Sequence, residues 1–96
     1  MRIIARRTLR EYWLSHADCE DALKTWYAVV RKAKWQNILD VRQTYSSAEM
    51  VGKYTVVNIK GNHYRLVACI DYRLRIVFVS AVLTHAEYSK DRWKHK

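Results

Sequence analysis

The spacing of apolar residues changes near Gly52, which predicts helices before that point and strands after it. In the first half, Ala22, Trp26, Val29 and Ala33 recur at intervals of three or four, the period of an amphipathic helix. Acidic side chains stand near the start of this segment and basic ones near its end, as the helix dipole favours. We therefore expect the most regular helix of the chain here.

The rest of the first half predicts two more helices and a short strand. Thr8 and Glu11 have the spacing of a capping box, which marks a helix start. The expected elements are a strand at residues 1–5, a helix from Thr8 to about His16, the regular helix starting near residues 15–18, a third helix at residues 37–45, and a polar loop ending near Gly52.

The second half predicts three strands. Residues 54–60 and 64–72 are rich in β-formers and are separated by Gly61 and Asn62, a pair suited to the positive φ angles of a tight hairpin. Residues 76–83 form the third strand, after a turn. Together they predict an antiparallel meander.

The chain ends with a second capping-box pattern. Thr84 and Glu87 have the required spacing, and Leu83 and Tyr88 occupy the positions of a hydrophobic staple, so a last helix begins there. The predicted order is β-α-α-α-β-β-β-α. This describes an α+β domain, residues 1–96, in which the meander packs against the N-terminal helices.

The hairpin register sorts the side chains of its strands onto two faces. A two-residue loop places Ile59 opposite Tyr64 and Asn58 opposite Arg65. Alternation then gives one continuous apolar face toward the helices: Thr55, Val57, Ile59, Tyr64, Leu66, Ala68 and Ile70. The opposite face collects Asn58, Lys60, His63 and Arg65.

Charge indicates the class of partner. The formal net charge is +9 over 96 residues, and residues 51–96 carry nine basic but only three acidic side chains. Such an excess attracts polyanions, so nucleic acid is the leading partner. The alternative is an acidic protein that neutralises the charge.

Composition places the chain in the cytoplasm. Cys19 and Cys69 are fifty positions apart, which fits neither a metal site nor a disulfide framework, so we expect both to be reduced and buried. No apolar run is long enough for a membrane span. The nine acidic residues are scattered, so we expect neither a metal site nor a cofactor.

The polar hairpin face has the chemistry that binds an RNA backbone. Lys60 and Arg65 would contact phosphates, Asn58 would contact a sugar or base, and His63 adds an imidazole, the side-chain type suited to proton exchange. The alternative is an ordinary solvated strand face, which is common in antiparallel sheets.

A second candidate group begins at the last helix. The dipole at its start disfavours a protonated His85 and keeps a proton acceptor available, and Tyr88 lies on the same helical face. The alternative is that Tyr88 only contributes to the hydrophobic staple and that His85 is an exposed residue with no role in the reaction. Basic residues that would position RNA are Arg73, Arg75, Lys90 and Lys94. Trp13, Trp26 and Trp35 are expected in the core.

Two segments resemble the HigB toxins of the RelE-like superfamily. Residues 57–66 are similar to the family's FNIKGNxYRL core, and residues 83–90 to its THAEYDK ending. Val57 replaces the usual Phe and Ser89 the usual Asp. The resemblance extends over nearly the whole chain, and the motif positions are occupied by Lys60, Asn62, Tyr64, Arg65, Thr84, His85 and Tyr88.

The resemblance implies a RelE-like fold and cleavage of mRNA on the translating 70S ribosome. It also implies inhibition by a HigA-type helix-turn-helix antitoxin, with operator DNA contacted only through the toxin–antitoxin complex. We expect attack by the ribose 2′-hydroxyl without a metal, with Lys60 and Arg65 stabilising the phosphoryl charge. His85 would be the general base or acid with Tyr88 beside it, and Lys60 is the rival base if it is buried. A non-catalytic RNA-binding protein remains the alternative.

Overall fold

A computed structural model describes residues 1–4 and 6–90, apart from the side chain of Arg6. No helix in that part of the chain is long and apolar enough to cross a membrane. The elements are β1 (Arg2–Ile4), α1 (Arg6–Ser15), a single 3-10 turn (Ala17–Cys19), α2 (Glu20–Lys32), α3 (Ile38–Thr44), β2 (Glu49–Val51), β3 (Tyr54–Ile59), β4 (Tyr64–Asp71), β5 (Ile76–Thr84) and α4 (His85–Ser89).

The five strands form one mixed sheet in the order β1-β5-β4-β3-β2. Strands β2 to β5 are an antiparallel meander, and β1 joins β5 in parallel. The α+β class and the meander against N-terminal helices are confirmed. Strand β2 lies where the sequence indicated a polar loop, because three residues are too few to show a period of two. It pairs with β3 across a turn at Gly52 (φ 59°).

The main core lies between the helices and one face of the sheet. Trp26 and Trp35 are buried in it, as expected, and Trp13 packs against it half-buried. The apolar strand face is confirmed, since its members are buried or pack against this cluster: Val57, Ile59, Tyr64, Leu66, Ala68 and Ile70, with Thr55 also buried. Cys19 is buried and Cys69 half-buried, and both are free thiols.

The capping box predicted at Thr8 is wrong. Helix α1 begins at Arg6, two residues earlier, so Thr8 lies inside its first turn. Glu11 does not reach back toward Thr8; its carboxylate pairs with Arg7 (2.9 Å), an i,i+4 contact on the exposed helix face. Helix α3, by contrast, begins as the sequence indicated, with Asn37 accepting a hydrogen bond from the Asp40 amide.

The β3–β4 hairpin has the predicted register and a different turn. Asn58 pairs with Arg65 and Ile59 with Tyr64, as the sequence indicated. A shift in register occurs in the neighbouring β4–β5 pairing, between Val67 and Ala68. The turn comprises four residues, 60–63, closed by a bond from the His63 amide to the Lys60 carbonyl (3.2 Å). Positive φ angles occur at Lys60 (52°) and Gly61 (62°), not at Asn62.

The capping box at the last helix is confirmed. The Thr84 side chain accepts from the Glu87 amide, and the Glu87 carboxylate accepts from the Thr84 amide. Leu83 and Tyr88 both pack against a second apolar cluster on the sheet face away from the helices, formed by Tyr54, Val56 and Val67. Helix α4 is therefore anchored at the end of β5.

Candidate active site

The ends of three neighbouring strands bring the candidate residues together. Asn58 lies near the end of β3, Arg65 opposite it near the start of β4, and Arg65 in turn pairs with Leu83 at the end of β5. His85 follows directly as the first residue of α4. The site therefore lies at one end of the sheet, on the face away from α1 and α2.

Arg65 is the centre of the cluster and is only 9% exposed. Its Nη1 donates to the main-chain carbonyls of Asn62 (3.1 Å) and Tyr64 (3.2 Å). Its Nη2 donates to Asn62 Oδ1 (2.7 Å) and contacts His85 Nδ1 (3.0 Å). None of these partners is a carboxylate, so within the described chain the buried guanidinium has no anionic partner.

The contact with Arg65 fixes the tautomer of His85. A guanidinium has only donors, so Nδ1 of His85 must accept and its proton resides on Nε2. Main-chain bonding fixes the start of the helix as well, since the His85 amide donates to the His63 carbonyl (3.1 Å). His85 itself is exposed. It therefore presents an N–H donor to solvent while Arg65 occupies its other nitrogen.

Tyr88 and Glu49 complete the cluster. The Arg65 guanidinium lies over the Tyr88 ring, 5.6 Å from its centre, and the Tyr88 hydroxyl donates to Glu49 Oε1 (3.0 Å). The sequence did not indicate Glu49, which is 39 positions from Tyr88. The signal that could have found it is the polar loop before Gly52, in which Glu49 is the one acidic residue. Glu49 brings a carboxylate to the edge of the site.

The turn supplies the remaining polar groups. Asn62 and His63 are exposed at its tip, and the Asn62 carbonyl and side-chain oxygen both hold Arg65. Asn58 is half-buried beside Arg65. The main-chain N–H of Asn58 donates to the Ser47 hydroxyl (3.0 Å), and this bond joins the loop before β2 to β3.

The sequence placed the Lys60 side chain with Arg65, and this placement is wrong. The Lys60 ammonium lies 3.3 Å from Asp18 Oδ2, and Asp18 also accepts a 2.6 Å bond from Tyr64, whose ring belongs to the helix-side core. The positive φ of Lys60 breaks the alternation of the strand and turns its side chain toward the helices. The ammonium is not buried, since the side chain is 43% exposed.

The other basic candidates lie away from the cluster or outside the described residues. Arg73 and Arg75 are exposed in the β4–β5 turn, beyond Asp71 at the far end of β4. Asp71 is six positions along the strand from Arg65, which is roughly 20 Å. Lys90 is exposed at the end of α4, and Lys94 lies outside the described residues.

The arrangement can bind an anion and exchange protons. Four of the five guanidinium N–H donors of Arg65 are engaged, two of them by the side chains of Asn62 and His85. Those two exposed side chains can turn away, and phosphate oxygens can replace them. Glu49 offers a proton acceptor and His85 a proton donor within the same cluster.

Comparisons with known proteins point to one family. The sequence model of the HigB_toxin family, described as the RelE-like toxic component of a toxin–antitoxin system, matches residues 19–91. The chain is also 25% identical over 93 residues to the mRNA interferase HigB of Escherichia coli O6:H1 (strain CFT073), covering 94% of this chain and 90% of that protein. The matched segment contains the residues of the cluster around Arg65, namely Glu49, Asn58, Asn62, His85 and Tyr88. The chain belongs to the HigB_toxin family of RelE-like toxins.

Proposed function

We propose that this toxin is an endoribonuclease that cuts translated mRNA on the 70S ribosome and thereby arrests growth. The observation that carries the proposal is the buried Arg65 guanidinium, which has four neutral hydrogen-bond partners and no carboxylate among the described residues. A buried cation without an anion is costly, and such a site is suited to a ligand phosphate. The name mRNA interferase carried by the E. coli relative supports the same activity.

Arg65 would stabilise the charge that develops on the phosphoryl oxygens. The reaction is attack of the ribose 2′-hydroxyl on the adjacent phosphorus, which breaks the bond to the 5′-oxygen. The products are a 2′,3′-cyclic phosphate and a 5′-hydroxyl. A preorganised donor of this kind contributes about 10²–10³ in rate. The described side chains supply the required charge and proton transfers without a metal ion.

Glu49 is the better general base and His85 the better acid. In the free protein the His85 Nε2 already carries a proton, so this nitrogen cannot accept the one from the 2′-hydroxyl. The Glu49 carboxylate can accept it, and the hydroxyl of Tyr88 orients that carboxylate. When a phosphate oxygen replaces His85 as a partner of Arg65, Nδ1 of His85 is released and can accept a proton from solvent, and the resulting imidazolium can protonate the leaving 5′-oxygen.

The remaining candidates would hold the RNA. Asn58 pairs with Arg65 across the hairpin, Asn62 accepts from its guanidinium, and His63 is exposed in the same turn, so all three can contact sugar or base. Lys60 is paired with Asp18, so we propose for it a phosphate contact at the rim and not the role of base. Exposed Arg73, Arg75 and Lys90 would contact RNA farther from the cut, and the net charge of +9 favours such contacts.

The ribosome would supply what the open site lacks. The reacting 2′-hydroxyl must lie in line with the leaving oxygen, and the decoding centre can hold mRNA in that geometry. We propose that a HigA-type helix-turn-helix antitoxin inhibits the toxin in the cytoplasm, and that operator DNA is contacted only through their complex.

The test is induced expression of the wild type, Arg65→Met and Arg31→Met, with 5′ ends mapped on a reporter mRNA. Arg31 is an exposed cation on α2, so its substitution removes the same charge away from the site. We expect translation-dependent cuts with the wild type and Arg31→Met, and none with Arg65→Met. Growth arrest by all three proteins without cuts would support a non-catalytic RNA-binding protein instead. If the protein instead binds an acidic protein, and added RNA does not change that binding, the alternative of an acidic protein partner would be supported.

A further inference from the structure

Asp18 lies on the opposite side of the sheet from the site and holds both ends of the turn that builds it. Its Oδ1 accepts a 2.6 Å hydrogen bond from the Tyr64 hydroxyl, and its Oδ2 lies 3.3 Å from the Lys60 ammonium. Lys60 is the first residue of the turn, and Tyr64 is the first residue of β4 after it. One carboxylate in the 3-10 turn before α2 therefore contacts both.

The partners of Asp18 are themselves fixed by packing. Tyr64 is 7% exposed, and its ring meets those of Tyr12 (5.9 Å, 87°) and His16 (6.0 Å, 82°) edge to face. Tyr12 and His16 stack on each other with centroids 4.0 Å apart. The phenol of Tyr64 is thus directed at Asp18 by a rigid aromatic group.

The turn needs such an anchor because its backbone is disfavoured. Lys60 has a φ of 52°, a conformation that a residue with a side chain adopts only when its surroundings hold it. The pairing of its ammonium with Asp18 is a long-range contact that does so. Without it, residues 61–63 would sample other conformations.

The same turn carries the partners of the two central site residues. Asn62 accepts two of the four hydrogen bonds of Arg65, and the carbonyl of His63 accepts the amide of His85. A displaced turn would therefore misplace both the guanidinium and the imidazole. We propose that Asp18 is a positioning residue for the reaction, acting through Tyr64 and Lys60 on the turn; this rests on the proposed RNA cleavage.

The experiment compares the wild type with Asp18→Ala, Tyr64→Phe and the double variant, with Glu20→Gln as control. Glu20 is a carboxylate on α2 that forms an i,i+4 ion pair with exposed Lys24 (2.8 Å), away from the turn. The readouts are the Gly61 amide and Arg65 Nε–H resonances of the isolated protein, and kcat and KM for cleavage on programmed ribosomes.

We expect Asp18→Ala and Tyr64→Phe to move and broaden both resonances and to lower kcat about ten- to a hundredfold, as a small misplacement does. KM should stay within about threefold, because the exposed basic residues that bind RNA are unchanged. The double variant should be no worse than Asp18→Ala, and Asp18→Glu should restore part of the rate.

Unchanged Gly61 and Arg65 resonances in both variants would overturn the proposal, as would an equal loss of kcat in Glu20→Gln. If Asp18→Ala does not fold, Tyr64→Phe decides, because it keeps the ring and removes only the hydroxyl. If the wild type cuts no mRNA, the proposed function fails, and the resonances still decide whether Asp18 positions the turn.

Discussion

Replacing Arg65 with Met separates catalysis from folding. The substitution keeps the length of an unbranched side chain that can pack on the Tyr88 ring, and it removes four hydrogen bonds. Two of the acceptors that lose their donor belong to the exposed side chains of Asn62 and His85, and water can take the place of the guanidinium there. The Tyr64 carbonyl is buried and loses this donor, at a cost of about 1–3 kcal/mol.

The destabilisation is limited because a buried charge is removed at the same time. Desolvating a cation costs several kcal/mol, which the four bonds offset only in part. We therefore expect Arg65→Met to lower the free energy of unfolding by no more than about 3 kcal/mol, which a domain stable by about 5–15 kcal/mol survives. The rate of mRNA cleavage should fall about 10²–10³-fold.

The assay is single-turnover cleavage in a purified translation system, paired with urea unfolding of the same preparations. Arg31→Met should match the wild type in both measurements. Arg65→Lys should also lose most of the rate, because one ammonium cannot reproduce the fork of the guanidinium. Cleavage by Arg65→Met within threefold of the wild type would show that the guanidinium does not contact the reacting phosphate.

Three further predictions follow from the cluster and its turn. Glu49→Gln keeps a hydrogen-bond acceptor for the Tyr88 hydroxyl and removes the general base, so the cleavage rate should fall at least about 10²-fold while RNA affinity stays the same or rises. Weaker RNA binding with an unchanged cleavage rate would contradict this. Gly61→Ala and Gly52→Ala should each lower the free energy of unfolding in urea by about 1 kcal/mol, since both glycines have φ near +60° and open space around the new methyl. Only Gly61→Ala should slow cleavage, and equal slowing by both variants would contradict the role of the turn. The hydrogen bond to Asp18 raises the pKa of Tyr64 to about 12, and the same bond lowers the pKa of Asp18. The loss of unfolding free energy in Asp18→Ala should therefore be full from about pH 5 to 10, and it should vanish as pH falls through the Asp18 pKa or rises through the Tyr64 pKa. A stability difference between Asp18→Ala and the wild type that grows in acid would contradict this.

The sequence predicts the parts of the site that follow from local periodicity. Alternation in a hairpin sends Val57 and Leu66 to the core and Arg65 to the opposite face, because a shift of one residue would direct the charge into the apolar core beneath the helices instead. The Thr84 capping box sets the start of α4 for a similar reason, since its bonds join residues three positions apart.

What the sequence does not predict depends on contacts between distant residues. Glu49 meets Tyr88 only because the short strand β2 extends the sheet, and a three-residue strand shows no periodicity. Lys60 departs from the alternation because its φ is positive, and it then pairs with Asp18, 42 positions away. Neither contact has a local signal in the chain.

Attack by the ribose 2′-hydroxyl is tested directly with an mRNA that carries a single 2′-deoxynucleotide at the mapped cut, on programmed ribosomes with the wild-type toxin. We expect the all-ribose mRNA to be cut to a 2′,3′-cyclic phosphate and a 5′-hydroxyl, and the deoxy-substituted mRNA to stay intact at that position. Cutting of the deoxy-substituted mRNA at the same bond would contradict attack by the 2′-hydroxyl and, with it, the roles assigned to Glu49 and His85.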